Sequence, residues 1–348
     1  LHNSNAVLEK DMRNYILEIC EKIGPRPPCS KKEAEGSKFF YNTIKKYCDK
    51  ITIEKFYTHP GAYKAAFRIP MILYIIGISF YFLSPWLSLI ITVISILILW
   101  GEMCFVKEII DPFFTKKNSQ NVIGKIKPKE MRKKIIIIGS HIDSNWEFPL
   151  IRKIHSGFAV IIAINLFLNV ILLVILLIQN FLIIFQMQVI FSNIYFFFFW
   201  IFIAGVPIIL IQLFFIISNR SVMGANDNLS GTAVCYELAK NLNLPKNKPN
   251  SVEIWINSYG CEEIGSKGSK AFVKSHLDEI KNATVLNIDN VGNKNGILQI
   301  STTEIFGLVK MDKKIIGLIN EVAKELNINI ELAPLMAYTD SLSFSRKN

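Results

Sequence analysis

The sequence predicts an α/β fold: a three-layer αβα sandwich with a mixed sheet, interrupted by two transmembrane helical hairpins. Three observations predict it. Segments of helical and strand period alternate through both ends of the chain, the pattern of an α/β sandwich. Ile135 to Ile138 is a run of four β-branched residues, which suits a strand buried on both faces. Ile69 to Gly101 and Ser156 to Asn219 contain no Asp, Glu, Lys or Arg, and a helix needs about 20 apolar residues to cross a bilayer core of about 30 Å. Residues 1–68, 107–155 and 220–348 are therefore expected to build one domain, with membrane hairpins at 69–106 and 156–219.

The elements follow in order. Residues 7–24 predict an amphipathic helix, because Val7, Leu8, Met12, Ile16 and Ile19 recur at three- and four-residue steps. Gly24-Pro25-Arg26-Pro27-Pro28 ends it. Residues 31–48 repeat that pattern with Phe39, Phe40, Ile44 and Tyr47 inward. Ile51 to Tyr57 alternates as a strand does. After the first apolar stretch come short strands at Asn121 to Ile126 and Lys134 to Gly139. After the second, helices are expected at Ser230 to Leu242, Gly268 to Leu277 and Lys313 to Leu326. Strands are expected between and after them, at Ser251 to Ser258, Ala283 to Asp289, Gly296 to Ser301 and Ile328 to Leu332.

Hydrophobic residues make up 51% of the 348, with a mean hydropathy of +0.33, too apolar for an ordinary soluble enzyme. The second uncharged stretch fits two spans, near Gly157 to Gln179 and Tyr195 to Ser218. The first fits a hairpin broken at Ser84-Pro85, with helices near Ile69 to Pro85 and Trp86 to Val106. The formal charge is +11, and the cations flank the stretches: Lys64 and Arg68, Lys107 to Lys134, Arg152 and Lys153, Arg220. Cationic residues stay on the cytoplasmic side. A multi-pass protein of the cell membrane is expected, with its polar domain cytoplasmic and the lipid bilayer as a partner. No basic helix with interleaved aromatics suggests nucleic acid as a partner. The spans carry no ionisable Asp, Glu, Lys or Arg, which argues against a transporter. Six cysteines without a CxxC pair suit a reducing compartment.

Four segments carry the candidate chemistry. His141 and Asp143 follow the isoleucine strand, and alternation puts them on one side. Such an imidazole can ligate a metal while the aspartate orients it. Asp227 lies in the turn Gly224-Ala225-Asn226-Asp227-Asn228, where Asn, Asp and Ser also favour turns and helix caps for structural reasons. Glu262 and Glu263 come straight after an apolar strand. Buried carboxylates must be paired or metal-bound, so one suits a ligand and its neighbour a general base. Asp289 closes another apolar run.

The order HxD, GAxDNxSG, EE followed by GxxGS, and NxDxxG resembles the co-catalytic zinc aminopeptidases of metallopeptidase family twenty-eight, which includes bacterial leucyl aminopeptidases and glutamate carboxypeptidases. Ile23-Gly24-Pro25-Arg26-Pro27-Pro28 and Asn121-Val122-Ile123-Gly124 are similar to that family too, with Cys29 where it usually has Gly. The resemblance implies a zinc-exopeptidase-like fold and a zinc-dependent exopeptidase of aminopeptidase type acting on peptides. It implies two zinc ions: His141 and Asp289 on one, Glu263 on the other, Asp227 bridging, Asp143 steadying His141, and Glu262 as proton carrier. Thr339-Asp340-Ser341 resembles the family's substrate-pocket turn.

The family takes its last zinc histidine from a His-Thr segment beyond that turn. His2, His59, His155 and His276 stand in other contexts. The second metal position is therefore expected to be incomplete, through C-terminal truncation or as a degenerate homologue that binds or scaffolds at a membrane. A single-zinc activity of glutaminyl-cyclase type also suits the residues. Because the metal set needs His141 beside Asp227, an even number of crossings is expected between them, and four helices in all.

Overall fold

The computed structural model describes residues 2–104, 107–155, 157–187, 192–293 and 296–345. In chain order its elements are α1 (His2–Lys22), α2 (Lys31–Ile44), β1 (Lys50–Thr58), α3 (Pro60–Ser79), α4 (Pro85–Ile98), β2 (Lys117–Ile126), β3 (Lys134–His141), α5 (Pro149–Ile154), α6 (Gly157–Ile184) and α7 (Ser192–Phe215). Then follow α8 (Ser230–Leu242), β4 (Val252–Tyr259), α9 (Lys267–Ile280), β5 (Thr284–Asn287), β6 (Leu298–Glu304), β7 (Val309–Lys310), α10 (Lys313–Glu325), β8 (Ile330–Pro334) and α11 (Leu342–Ser345). The chain divides into two units, one of Leu1–Thr58, Lys116–Asn145 and Ser221–Asn348, the other of His59–Thr115 and Trp146–Arg220.

In the first unit, β1 to β5 form a mixed sheet in the order β1-β2-β4-β3-β5. β1 and β2 run antiparallel, as do β2 and β4, while β3 lies parallel to both β4 and β5. Alternation decides which helices cover which face. Val122, Ile126, Ile138, Ile254 and Ile256 point to one side and pack with Tyr15 and Ile19 of α1, Phe40 and Ile44 of α2, and Ala233 and Ala239 of α8. Their neighbours Ile123, Ile135, Ile137, Trp255 and Tyr259 point to the other and meet Phe272, Val273 and Ile280 of α9 and Phe344 of α11. Two helical layers thus enclose the sheet, and the isoleucine strand is central, as its lack of a polar face requires. A smaller sheet, β7-β6-β8, carries α10.

In the second unit, among the described residues, four helices are long and apolar enough to cross a membrane: Pro60–Ser79, Pro85–Glu102, Val160–Ile184 and Ser192–Phe215. The first starts at Pro60, earlier than the charge-free window begins, because Lys64 and Arg68 lie within it. Both donate to the carbonyls that end α7: Lys64 Nζ to Ser218 O at 2.9 Å, Arg68 to Ile217 O at 2.9 Å. The break does fall at Ser84-Pro85. The bundle has an apolar core, with Leu172, Phe202 and Ile209 in it, and polar groups are buried among those residues. Ser88, Thr92, Ser95, Asn165, Asn169 and Gln212 are buried, linked by Ser95 to Asn169 at 3.2 Å and Asn165 to Gln212 at 3.3 Å. Leu97, Phe181, Phe197, Trp200 and Phe214 face outward. Three short elements, α5, β7 and α11, have no signal in the sequence pattern, being too brief to show a period.

Candidate metal centre

Three parallel strands end at one edge of the sheet, and the site is built on their carboxyl ends, where open α/β sheets gather their functional groups. His141 is the last residue of β3, paired with Tyr259, the last of β4. The chain leaves β4 through Gly260, whose position has no room for a Cβ: it would fall 2.6 Å from Ser119 Oγ. Cys261 then turns in the left-handed region (φ 56°) and delivers Glu262 and Glu263. β5 stops at Asn287, where Ile288 N–H still bonds Gly139 O at 2.8 Å, and Asp289 follows. Asp227 comes from the turn before α8, which Gly224 opens at φ 65°.

His141 and Asp143 are both fully buried. The Asp143 carboxylate does two things. One oxygen lies 3.5 Å from His141 Nδ1, and its two oxygens accept the Glu262 and Glu263 N–H groups at 3.0 and 3.1 Å. It ties the histidine strand to the glutamate turn. On the other side of the ring, Nε2 lies 3.1 Å from Asp227 Oδ1, 3.6 Å from Asp289 Oδ1 and 3.8 Å from Glu262 Oε2. Ligand atoms of His141, Asp227 and Glu263 all fall within 4.8 Å of one another. Asn145 Nδ2 donates to Glu263 Oε2 at 2.5 Å. His141, Asp143, Asp227, Glu262, Glu263 and Asp289 are thus gathered at this one edge. Asp227, with its side chain 46% exposed, marks the open mouth.

The electrostatics are those of a cation site. Burial disfavours an imidazolium at His141, but the Asp289 charge and contacts with Asp143 and Asp227 outweigh it and hold the ring's value well up. Burial raises Asp227 as well, yet the His141 contact prevails and lowers it. Glu262 and Glu263 are pushed well above the carboxylate range, by burial first and then by neighbouring carboxylates, against the pull of His141. Buried Asp340 is raised to about 7, again by burial, opposed by His141. One imidazole does not balance this many carboxylates, and a divalent ion does. His141 Nε2 and Glu263 Oε1 are buried with no hydrogen-bond partner among the described residues. One nitrogen and several carboxylate oxygens are a donor set that zinc accepts.

Residues that sequence reasoning passed over hold the site in place. The Arg26 guanidinium, fully buried, donates to Ile142 O (2.8 Å), Gly24 O (2.7 Å), Met223 O (3.1 Å) and Gly224 O (3.2 Å). It joins the His141 segment to the turn that carries Asp227. Glu33, also fully buried, accepts from Cys29 N–H, Cys261 N–H and Ser119 Oγ. Asn228 Nδ2 donates to Ile288 O at 2.9 Å, linking the Asp227 turn to the Asp289 strand. The motif Gly24-Pro25-Arg26 was the available signal for the first of these.

Residues 212–348 match the profile of Peptidase family M28. Aminopeptidase YwaD of Bacillus subtilis (strain 168) is 44% identical over 72 residues, 20% of this chain and 15% of that relative's length. Among solved structures, a leucine aminopeptidase precursor from Bacteroides thetaiotaomicron VPI-5482 superimposes with a TM-score of 0.55 at 13% identity, covering 97% of this chain and 80% of that one. A glutaminyl cyclase from an Acidobacteriales bacterium gives 0.54 at 12% identity, covering 97% and 76%. At such identities the structural likeness shows the fold, and the profile match covers the C-terminal segment of the chain. Over that matched segment, the mixed α/β sandwich with acidic and imidazole donors at its strand ends is similar to the peptidases of family M28.

Proposed function

We propose that this chain is a zinc-dependent exopeptidase of aminopeptidase type, anchored in a membrane with its peptidase unit on the cytoplasmic face. The observation that carries the reading is the approach of His141, Asp227 and Glu263 within 4.8 Å at the carboxyl edge of the sheet. His141, Asp227, Glu263 and Asp289 would hold the metal. When bound, zinc supplies Lewis acidity toward a carbonyl and activates water for attack.

The chain's own residues do the rest. Asp143 holds the His141 ring at Nδ1 through its backbone carbonyl at 3.2 Å, with its carboxylate at 3.5 Å, and that carboxylate sets the Glu262 and Glu263 backbone. Glu262 is raised by burial and by repulsion from Asp340, Glu263 and Asp289, against His141. A carboxyl raised in this way holds a proton more readily than a free glutamate, which suits a group that serves both attack and departure of the amine. Its Oε2, 3.8 Å from His141 Nε2, faces the metal donors. Purified full-length protein assayed on aminoacyl amides tests this. Chelator should abolish turnover and zinc restore it. Glu262→Gln should lower kcat by about 10²–10⁴-fold. Chelator-insensitive turnover, or full turnover in the glutamine variant, contradicts the mechanism.

The bundle surface supports the membrane assignment: Phe, Leu and Trp face out while amides and hydroxyls are buried, as hydrocarbon surroundings favour. Two crossings lie between His141 and Asp227 in sequence, and an even number returns the chain to the face it left. A glutaminyl-cyclase-type reaction is the second reading. Three clustered donors suffice for a single ion, and glutaminyl cyclases share the fold. Conversion of an N-terminal glutaminyl peptide without release of free amino acid would favour it.

A further inference from the structure

Cys29 and Cys261 are 232 positions apart, yet their sulfurs lie 3.4 Å from each other. One carboxylate brings them together. Glu33 Oε2 accepts Cys29 N–H at 2.9 Å, and Glu33 Oε1 accepts Cys261 N–H at 2.9 Å. Ser119 Oγ, donating to Oε2 at 2.8 Å, fixes that carboxylate from a third side. Both cysteines sit in the left-handed region, at φ 59° and 56°, so neither position is one that a cysteine adopts readily. The Cys261 thiol donates to Glu33 Oε1 at 3.3 Å, which leaves the Cys29 thiol as donor to the Cys261 sulfur. Cys261 is buried and Cys29 half-buried, so Cys29 is the one a reagent reaches first.

We propose that Cys29 and Cys261 form a reversible dithiol–disulfide site, oxidised by hydroperoxides and reduced by thiols, whose closure acts on the adjoining Glu262-Glu263 turn. The Cys29 sulfur attacks the outer oxygen of the hydroperoxide. The O–O bond breaks, an S–O bond forms, and the alcohol (water, from hydrogen peroxide) leaves with the thiol proton. The Cys261 sulfur then displaces that oxygen, which departs as water with the second thiol proton. Two thiols give up two electrons to the peroxide, and one S–S bond results. Closure shortens the contact from 3.4 Å to a bond of about 2 Å. Cys261 precedes the two N–H groups that Asp143 holds, so its displacement reaches Glu262 directly. In a reducing compartment the pair rests as thiols, where protein disulfides are transient and sensing. The effect on turnover rests on the peptidase reading above; the disulfide itself does not.

The test uses full-length protein in detergent, exposed to hydrogen peroxide, alkylated and digested without reductant. Mass spectrometry should find Cys29 joined to Cys261 as the main cross-linked pair, lost on treatment with dithiothreitol. Dominant links through Cys20, Cys48, Cys104 or Cys235 would overturn the proposal, as would Cys29 over-oxidised with Cys261 left free. The second measurement is turnover of the zinc-loaded protein. Oxidation should lower it at least threefold in wild type, reversibly, and leave Cys29→Gly unaffected; glycine suits φ 59° and keeps the turn. A mapped disulfide with undiminished turnover would overturn the coupling. If the reduced protein has no peptidase activity, the peptidase reading fails while the mapping still decides the pair.

Discussion

Arg26 spends its guanidinium on backbone carbonyls from three separate stretches of chain. Removing it leaves several buried carbonyls unmet, so Arg26→Ala should destabilise the first unit by on the order of 3 kcal/mol or more. Arg26→Lys should recover little, since one ammonium does not reach groups that a planar fork spans. Thermal or denaturant unfolding checks both. Glu33 gives a pH signature. Burial first, then the Asp143 charge, raise its carboxyl from 4.5 to about 8, against the bonds from Ser119 and Cys261. A carboxyl with a higher value in the fold than in the unfolded chain binds its proton more tightly when folded. Its contribution is complete below about 4.5 and is lost as pH rises through about 8. Wild-type melting temperature should therefore fall more steeply over that range than that of Glu33→Gln; equal slopes would contradict the assignment. Glu33 has no signal in the sequence, and Arg26 has only the motif Gly24-Pro25-Arg26. An Arg or Glu in a polar segment reads as surface, and it is contacts to distant positions such as Ile142, Ser119 and Cys261 that hold these two inside. The ligand residues are more visible, because Asp and Glu directly after apolar strands break the pattern around them.

Helices and strands whose period matches their surroundings were readable nearly to their ends. Ser230–Leu242 was anticipated in full, and the isoleucine run marks β3 as a central strand. What escaped the pattern had a local physical cause: cationic residues inside the first turns of α3, a two-residue β7, and a first apolar helix longer than its uncharged window. Close helix approach in the second unit is likewise set by single positions. A Cβ at Gly205 of α7 would fall 2.5 Å from Leu168 Cδ1 of α6. Gly205→Val should cost about 1–3 kcal/mol by overpacking. Leu168→Ala should return part of that loss when combined with it, and thermal unfolding in detergent measures the coupling. Additive losses would show that these helices do not meet there.

At the scale of the whole molecule, the proposed arrangement is a peptidase unit interrupted twice by membrane hairpins. α6 runs to Ile184, beyond the span end expected from sequence, so Asn180 is helical and the turn lies at Gln186. Topology reporters inserted at Glu130 and Gln186 should read opposite sides, with Glu130 cytoplasmic; same-side signals would contradict four crossings. On the proposed reading, the chemistry depends on donors from four distant segments meeting at one metal site. Metal content of the dialysed full-length protein, measured by atomic absorption beside variants that keep their fold, tests that most directly. Wild type should retain zinc, while His141→Ala, Asp227→Asn and Glu263→Gln should each bind it at least tenfold more weakly. Unchanged zinc retention in His141→Ala would contradict the account.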